Sequence, residues 1–230
     1  MRDQILSYIQ MCLHEKTSSL QRGMNFRFNP NYSILLMSQR KNAPYHDTVH
    51  ADGITIEYEG HDLTSAQAEV PKAEDQPRYL PSGKPTQNGK FADAVDAYKK
   101  KKAEPEIVRI YEKLFDGTWS DKGFFKLIDY KYVKSGKRKV FRFILQEVEV
   151  DFENNQAHIS KVKPHSRIIP SDVKREVWER DGGKCVTCGA TDNLHFDHDL
   201  PYSTGGSSIT AANVKILCAR HNLKKSDKIE

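Results

Sequence analysis

Hydrophobic and polar positions repeat with two different periods along the chain, and the switch between them outlines the fold. Residues 1–20 place Ile5, Ile9 and Leu13 at i, i+4 and i+8, the spacing of one face of an amphipathic helix. Cys12 sits on or beside that face and reads as a small core residue. From Tyr32 onward the apolar residues come in short β-like runs: YSILLM, GITIEY, EIVRIY, FFKLIDYKYV and KVFRFILQEVEV. Turn-rich stretches such as DLTSAQAEVPKAEDQP and LPSGKPTQNGK separate them. One helical stretch interrupts, FADAVDAYKK, with Phe91, Ala94, Val95 and Tyr98 on a stripe. Many strands with one or two helices predict an α+β chain whose first 155 residues form a curled sheet or barrel with flanking helices. The polar segment NNQAHISKVKPHS predicts a linker over residues 156–169, and a compact Cys/His-rich module follows over 170–230.

Composition adds limits. The chain has 230 residues, 36 Lys+Arg and 31 Asp+Glu, for a net charge of +5. The balance permits nucleic acid as a partner without demanding it. Residues 99–142 carry 14 basic against 6 acidic side chains, so this band supplies more than the whole net charge and suits a phosphate-facing surface. No apolar run approaches ~18 residues, which argues against a membrane-spanning helix. Asp3 and His14 interrupt the N-terminal apolar stretch, and no small-residue cleavage site follows, so a secretory leader is not expected. Three of the four cysteines fall in the last 46 residues. That clustering points to metal in a reducing compartment and not to disulfides.

The cysteine spacing is specific. Cys185-x2-Cys188 and Cys218-x2-His221 form two knuckles that supply four ligands to a closed tetrahedral zinc site. A structural zinc in so small a module is worth ~10–16 kcal/mol of apparent folding free energy. Between and around the knuckles lie SDVKREVWERDGGKCVTCG, the Asp197-His198 pair, Pro201, the Gly205-Gly206 turn, Asn213, and Cys-x2-His-Asn-x2-Lys ending at Lys225. Over residues 169–228 these positions resemble the HNH (ββα-metal) endonuclease family. The resemblance implies two antiparallel strands and a helix around one divalent catalytic metal, with zinc holding the ends. The residue chemistry agrees. His198 is suited to take a proton from water near neutral pH. Asp197 and Asn222 are oxygen ligands fit for Mg²⁺ or Mn²⁺. Asn213 matches the family's loop-bracing residue, and Lys224 or Lys225 can meet a phosphate. His221 stands where cysteine is commoner and is assigned to zinc, because Asn222 already fills the catalytic slot. His195 and Asp199, flanking the pair, read as exposed hairpin residues.

Upstream, YSILLMSQ, NAPYHDTVHADGITIEYEGHD, the DQP at Asp75–Pro77, NGKFADAV and DGTWSDKGFFKLIDYKYVKSGKRKVFRFILQEVE resemble the SRA domain, one of the PUA-like folds. One extra residue separates the first tyrosine from the YEG strand end. The resemblance implies a pocket that receives a modified cytosine flipped from duplex DNA. A flipped base needs aromatic faces to replace stacking and partners for its Watson–Crick edge. Tyr45 and Tyr58 match the stacking positions, and Asp47 is placed to accept from the exocyclic amine. A methyl group is worth only ~1–3 kcal/mol in a pocket, so flipping must add to the discrimination.

Together these readings predict a modification-dependent restriction endonuclease. It would act on double-stranded DNA with 5-methylcytosine or 5-hydroxymethylcytosine, in the cytoplasm of a prokaryotic cell and away from membranes. One centre cuts one strand per engagement, so a homodimer or successive nicks are expected for double-strand breaks. Two other readings stay open. The first domain could direct the nuclease to unmodified DNA or structured RNA. Alternatively the module could be a zinc-stabilised DNA binder without catalysis, although Asp197, His198 and Asn222 together argue against that.

Overall fold

The strand runs rich in Ile, Val, Phe and Tyr assemble into one mixed sheet, as β-branched and aromatic residues on a pleated surface favour. The structure is a computed structural model that describes residues 3–20, 22–153, 156–160, 168–199 and 210–226. Its elements are β1 (Ile5–Ser7), α1 (Tyr8–His14), β2 (Met24–Asn29), β3 (Tyr32–Met37), β4 (Thr48–Val49), β5 (Thr55–Glu59), α2 (Gln87–Lys99), β6 (Ile107–Phe115), β7 (Thr118–Ser135), β8 (Arg138–Glu153), β9 (Gln156–Ser160), α3 (Ser171–Asp181), β10 (Leu194–His198), β11 (Val214–Cys218) and α4 (Ala219–Ser226). The first nine strands form a sheet ordered β2-β3-β6-β7-β8-β5-β4, with β1 on β7 and β9 on β8. β3 and β6 pair in parallel and the other neighbours run antiparallel.

Both faces of this sheet are covered, which is why its strands read as nearly continuous apolar runs. On one face Leu35, Ile56, Val108, Ile110, Phe125 and Phe143 pack under α2 through Phe91, Ala92 and Val95. The helix starts four residues before the predicted run, at an N-cap where the Thr86 hydroxyl accepts from Gly89 N at 3.0 Å. A glycine in a first turn weakens a sequence-based reading. Here it is required, because a Cβ on Gly89 would lie 2.1 Å from the Arg78 carbonyl oxygen. The buried stripe therefore runs through Ala92 where Ala94 and Tyr98 were expected.

The opposite face carries α1, and here the predicted N-terminal helix is corrected. Ile5 belongs to strand β1, opposite Ser120, and the helix is only seven residues long. Ser7 and Gln10 close a reciprocal capping box that fixes its start. Met11 and Cys12 face the core, while Ile9 and Leu13 are 70% and 68% exposed. Cys12 is buried, in keeping with its reading as a core residue. The predicted linker is also shorter than expected, since residues 156–160 are strand β9 paired to β8. Ile168 is buried in the sheet's core and its N–H donates to Gly53 O at 2.8 Å.

The C-terminal elements do not stand apart. α3, β10 and β11 share a core with Ile5 of β1 and Leu114 of β6. Phe196 N donates to Asp3 O at 3.0 Å, and Gln4 forms a β-bridge with His195. Beneath α3 lies a buried polar seam. Lys174 Nζ reaches Asp3 Oδ1 at 2.6 Å and Ser120 Oγ at 2.8 Å. Lys122 Nζ lies 2.8 Å from Glu112 Oε2, both side chains fully buried. The Ser171 hydroxyl sits between Glu112 and Gln39. Burial pushes the Glu112 carboxyl up, but Lys122 and Lys174 outweigh it and hold the group below its usual range.

Candidate functional sites

A cavity of about 730 Å³ opens between β3, the segment after it and the loop that follows β5. Tyr45, Asp47, His61, Met24, Leu36 and Trp119 contribute to its wall, with Arg40 and Lys113 at the same site. Asp47 is buried. Its two oxygens accept separately from Ser38 N at 3.1 Å and Glu59 N at 3.0 Å. Burial dominates over these donors and pushes the carboxyl up to about 7. The Tyr45 ring lies against His61, with centroids 4.7 Å apart and planes 9° apart. The Lys72 ammonium sits 4.0 Å from the Tyr45 centroid. Burial brings His61 down to about 4, so the imidazole is neutral near pH 7.

Of the three residues expected in a base pocket, Tyr45 and Asp47 meet at this cavity and Tyr58 does not. Tyr58 is 1% exposed, packed in the sheet core. Its hydroxyl lies within hydrogen-bond distance of Gly23 O, Leu36 O and His61 Nε2, the last at 2.9 Å. His61 supplies the second ring of the wall, and the sequence reading missed it. A histidine two residues past a strand end carries no spacing signal. The closest local clue is Gly23, where a Cβ would lie 2.5 Å from the His61 ring.

The metal site is more legible. Ligand atoms of Cys185, Cys188, Cys218 and His221 all lie within 4.8 Å of one another. A tetrahedron with Zn–S legs of ~2.3 Å and Zn–N legs of ~2.0 Å has edges of about 3.8 Å between sulfurs and about 3.5 Å from sulfur to nitrogen. Cys188 and Cys218 sulfurs are 3.8 Å apart, and His221 Nδ1 lies 3.5 Å from Cys185 and 3.3 Å from Cys218. These four residues can hold a metal ion such as zinc. Burial alone would raise the Cys185 thiol, but backbone N–H groups of Cys218, Thr187 and Cys188 and the His221 ring bring it down to about 6. A thiol so lowered is ready to ligate.

The same ligands fix the neighbouring hairpin and helix. β10 and β11 pair antiparallel, with Asp197 opposite Lys215 and His198 opposite Val214. Asn213 closes the short helical turn 211–213 just before β11, and its carbonyl accepts from Asp199 N at 2.7 Å. α4 begins directly after Cys218, so His221 and Asn222 are anchored together. Asp197 is half-buried, and Lys225 Nζ sits 2.5 Å from its Oδ2 and also meets the His198 carbonyl. The Asp197 carboxylate is thus already placed to take a positive charge. A carboxylate oxygen such as that of Asp197 and an amide oxygen such as that of Asn222 are donors that Mg²⁺ or Mn²⁺ prefers over zinc. Lys224 is exposed. Pro201 and Gly205-Gly206 lie outside the described residues. His195 is corrected: it is 2% exposed, because the Gln4 segment covers the free edge of β10. Asp199 is exposed and paired with Lys215.

No protein-family model and no curated protein sequence matches the chain. Among solved structures it is similar to the SRA domain of SUVH5 bound to fully hydroxymethylated CG DNA, at 14% identity and TM-score 0.44, over 68% of this chain and 89% of that one. It is also similar to the modification-dependent TagI restriction endonuclease, at 15% identity and TM-score 0.42, over 98% of this chain and 77% of that one. A third likeness is to Arabidopsis thaliana SUVH6 in complex with SAM, at 12% identity and TM-score 0.42, over 76% of this chain and 28% of that one. These are likenesses of chain path alone, and the reading that follows rests on this chain's own residues.

The basic band is less open than its composition suggests. Arg109 is paired with Glu15 and Asp121, Lys113 with Asp116, Lys122 with Glu112, Arg138 with Glu59 and Asp62, Arg142 with Glu57 and Glu59, and Lys99 with Asp129. No helix among the described residues is long and apolar enough to cross a membrane.

Proposed function

We propose that this protein is a modification-dependent endonuclease. The cavity receives a modified cytosine turned out of duplex DNA, and the C-terminal centre hydrolyses a phosphodiester bond nearby. One observation carries the reading: a carboxylate held near neutrality beside a stacked Tyr45–His61 wall shares a chain with Asp197-His198 on a hairpin closed by a Cys₃His cluster. With a pKa near 7, Asp47 can accept from the exocyclic amine of cytosine as a carboxylate or donate to the ring nitrogen as an acid. His198 takes the proton of the attacking water. Asp197 and Asn222 would hold Mg²⁺ or Mn²⁺, which when bound offsets charge on the phosphate. Asn213 steadies the hairpin that carries His198, and Lys224 faces phosphate. Zinc on Cys185, Cys188, Cys218 and His221 holds the fold and takes no part in the reaction. The setting is the cytoplasm of a prokaryotic cell, and two chains or two successive nicks produce a double-strand break.

Cleavage of methylated and unmethylated copies of one plasmid, with Mg²⁺ or Mn²⁺ supplied, tests this. The methylated copy is expected to be cut and the unmethylated one spared. His198→Ala is expected to slow cutting by about 10²–10⁴-fold while DNA binding is kept. A second reading is favoured by the burial of Tyr58 and by the covered ring of Tyr45: a nuclease directed to unmodified DNA or structured RNA. Equal cutting of both plasmids would select it. Cutting of neither, by a protein that still binds DNA, would leave a zinc-stabilised binding module.

A further inference from the structure

β7 and β8 outrun their neighbours in the sheet. β6 accompanies β7 only as far as Lys126, and β5 accompanies β8 only over Arg142 to Gln146. Past those limits the two strands pair with each other as far as Ser135 opposite Arg138. The turn is Gly136-Lys137, with Gly136 at a positive φ of 62° that a side chain would resist. At ~3.3 Å per residue the arm beyond Lys126 is about 30 Å long.

Its end is built against its own stability. Lys131, Lys134, Lys137 and Lys139 are exposed, and among the described residues none has an ion-pair partner. Lys134 stands directly opposite Lys139 in the ladder, and like charges in that position destabilise a strand pair. Tyr132 is 42% and Val133 38% exposed beside them. Of the other cations of the band without an ion pair among the described residues, Lys126 is half-buried and Lys100 to Lys102 follow the C-terminus of α2, where its carbonyl ends attract cations locally. On the arm Lys139 lies 5.9 Å from the centroid of the Tyr132 ring, and Lys131, Lys134 and Lys137 have no such local use for their charge among the described residues. The arm is instead tied to the cavity: Arg138 joins Asp62 in the cavity wall, and the Tyr132 hydroxyl donates to Gln76 O at 3.1 Å.

We propose that this hairpin end is the phosphate-binding arm of the protein. Its four lysines hold the backbone of the duplex whose base enters the cavity. The inference rests on the reading above for the identity of the polyanion as DNA; the arm's charge and placement stand without it. The test is titration of the full-length, zinc-loaded protein with methylated and unmethylated duplexes of one sequence at several salt concentrations. Each lost phosphate contact makes the log–log salt dependence shallower by about 0.9. Changing the four lysines together to Gln is expected to flatten the slope by up to about 3.6, to weaken both duplexes alike, and to leave their affinity ratio unchanged. Lys100, Lys101 and Lys102 changed together to Gln are expected to leave the slope alone. An unchanged slope in the arm variant, or a loss equal to that of the α2-end variant, overturns the proposal. A wild-type protein that fails to distinguish the duplexes while the arm variant still flattens the slope would sink the modified-base reading and keep the arm.

Discussion

Asp47 and His61 face one cavity with opposite departures from ordinary acidity, and their effects on stability oppose each other. The Asp47 carboxyl moves from 3.8 up to about 7 on folding. Between those values the folded state keeps a proton the unfolded chain has released, so stability falls as pH rises. His61 moves from 6.5 down to about 4. In that window the unfolded chain holds the extra proton, so stability rises with pH. Each slope is at most ~1.4 kcal/mol per pH unit, and the wild-type protein is expected to show little net dependence on this pair between about pH 4 and 6.5. Asp47→Asn leaves the rise and His61→Gln leaves the fall. Urea unfolding of the two variants should therefore show their stability difference changing by about 4 kcal/mol between about pH 5 and 6.5. A constant difference would mean the pair is not buried as described. Asp47 was reached from the sequence only through the resemblance of NAPYHDTVHADGITIEYEGHD to the SRA domain, since no local pattern singles it out. The burial of Tyr58 was not legible, because a strand tyrosine faces core or cavity according to which neighbour covers it.

At the scale of elements, the long central strands and α2 could be read from period alone, whereas α1 could not. Its sequence fits a helix from residue 1 because Ile5, Ile9 and Leu13 have the right spacing, yet β1 finds a partner in β7 and ends the helix at Ser7. Tertiary pairing overrode local pattern. The polar seam under α3 was equally hidden, since Glu112, Lys122 and Lys174 look like ordinary surface charges in sequence. Their burial has a measurable signature. Breaking a buried pair from one side leaves an uncompensated charge and costs about 3–5 kcal/mol, while replacing both partners is far milder. Lys122→Met and Glu112→Gln are each expected to destabilise strongly, and the double variant by at least ~1 kcal/mol less than their sum in a double-mutant cycle. Strictly additive losses in chemical denaturation would show the two groups to be independent.

At the scale of the whole molecule, the sequence separates the chain into a β-rich part and a Cys/His-rich part, and composition justifies that division. The Cys₃His group that could hold a metal was legible because the spacing within each knuckle is local, and the hairpin carrying Asp197 and His198 was implied by the resemblance to the HNH family. The joint between the parts was not legible, because it is made by residues remote in sequence. Lys174 and its partner Asp3 are 171 positions apart, and Ile5 shares a core with Val177. This joint has a consequence for the order of events as the chain folds. Closing a loop ten times longer than a local one costs about 2 kcal/mol more in chain entropy, so the joint should form after the sheet. The two tryptophans happen to report on it: Trp119 lies opposite Leu6 of β1, and Trp178 lies 6.5 Å from Phe115. In refolding from urea, recovery of β-sheet circular dichroism should lead and tryptophan fluorescence should trail as a distinct slower phase. Superimposable traces would mean that the joint closes with the sheet. If the trailing phase exists, the newly made protein passes through a period when its β-rich part is folded and its Cys/His-rich part is not yet docked, and docking completes only once the first residues of the chain are in place.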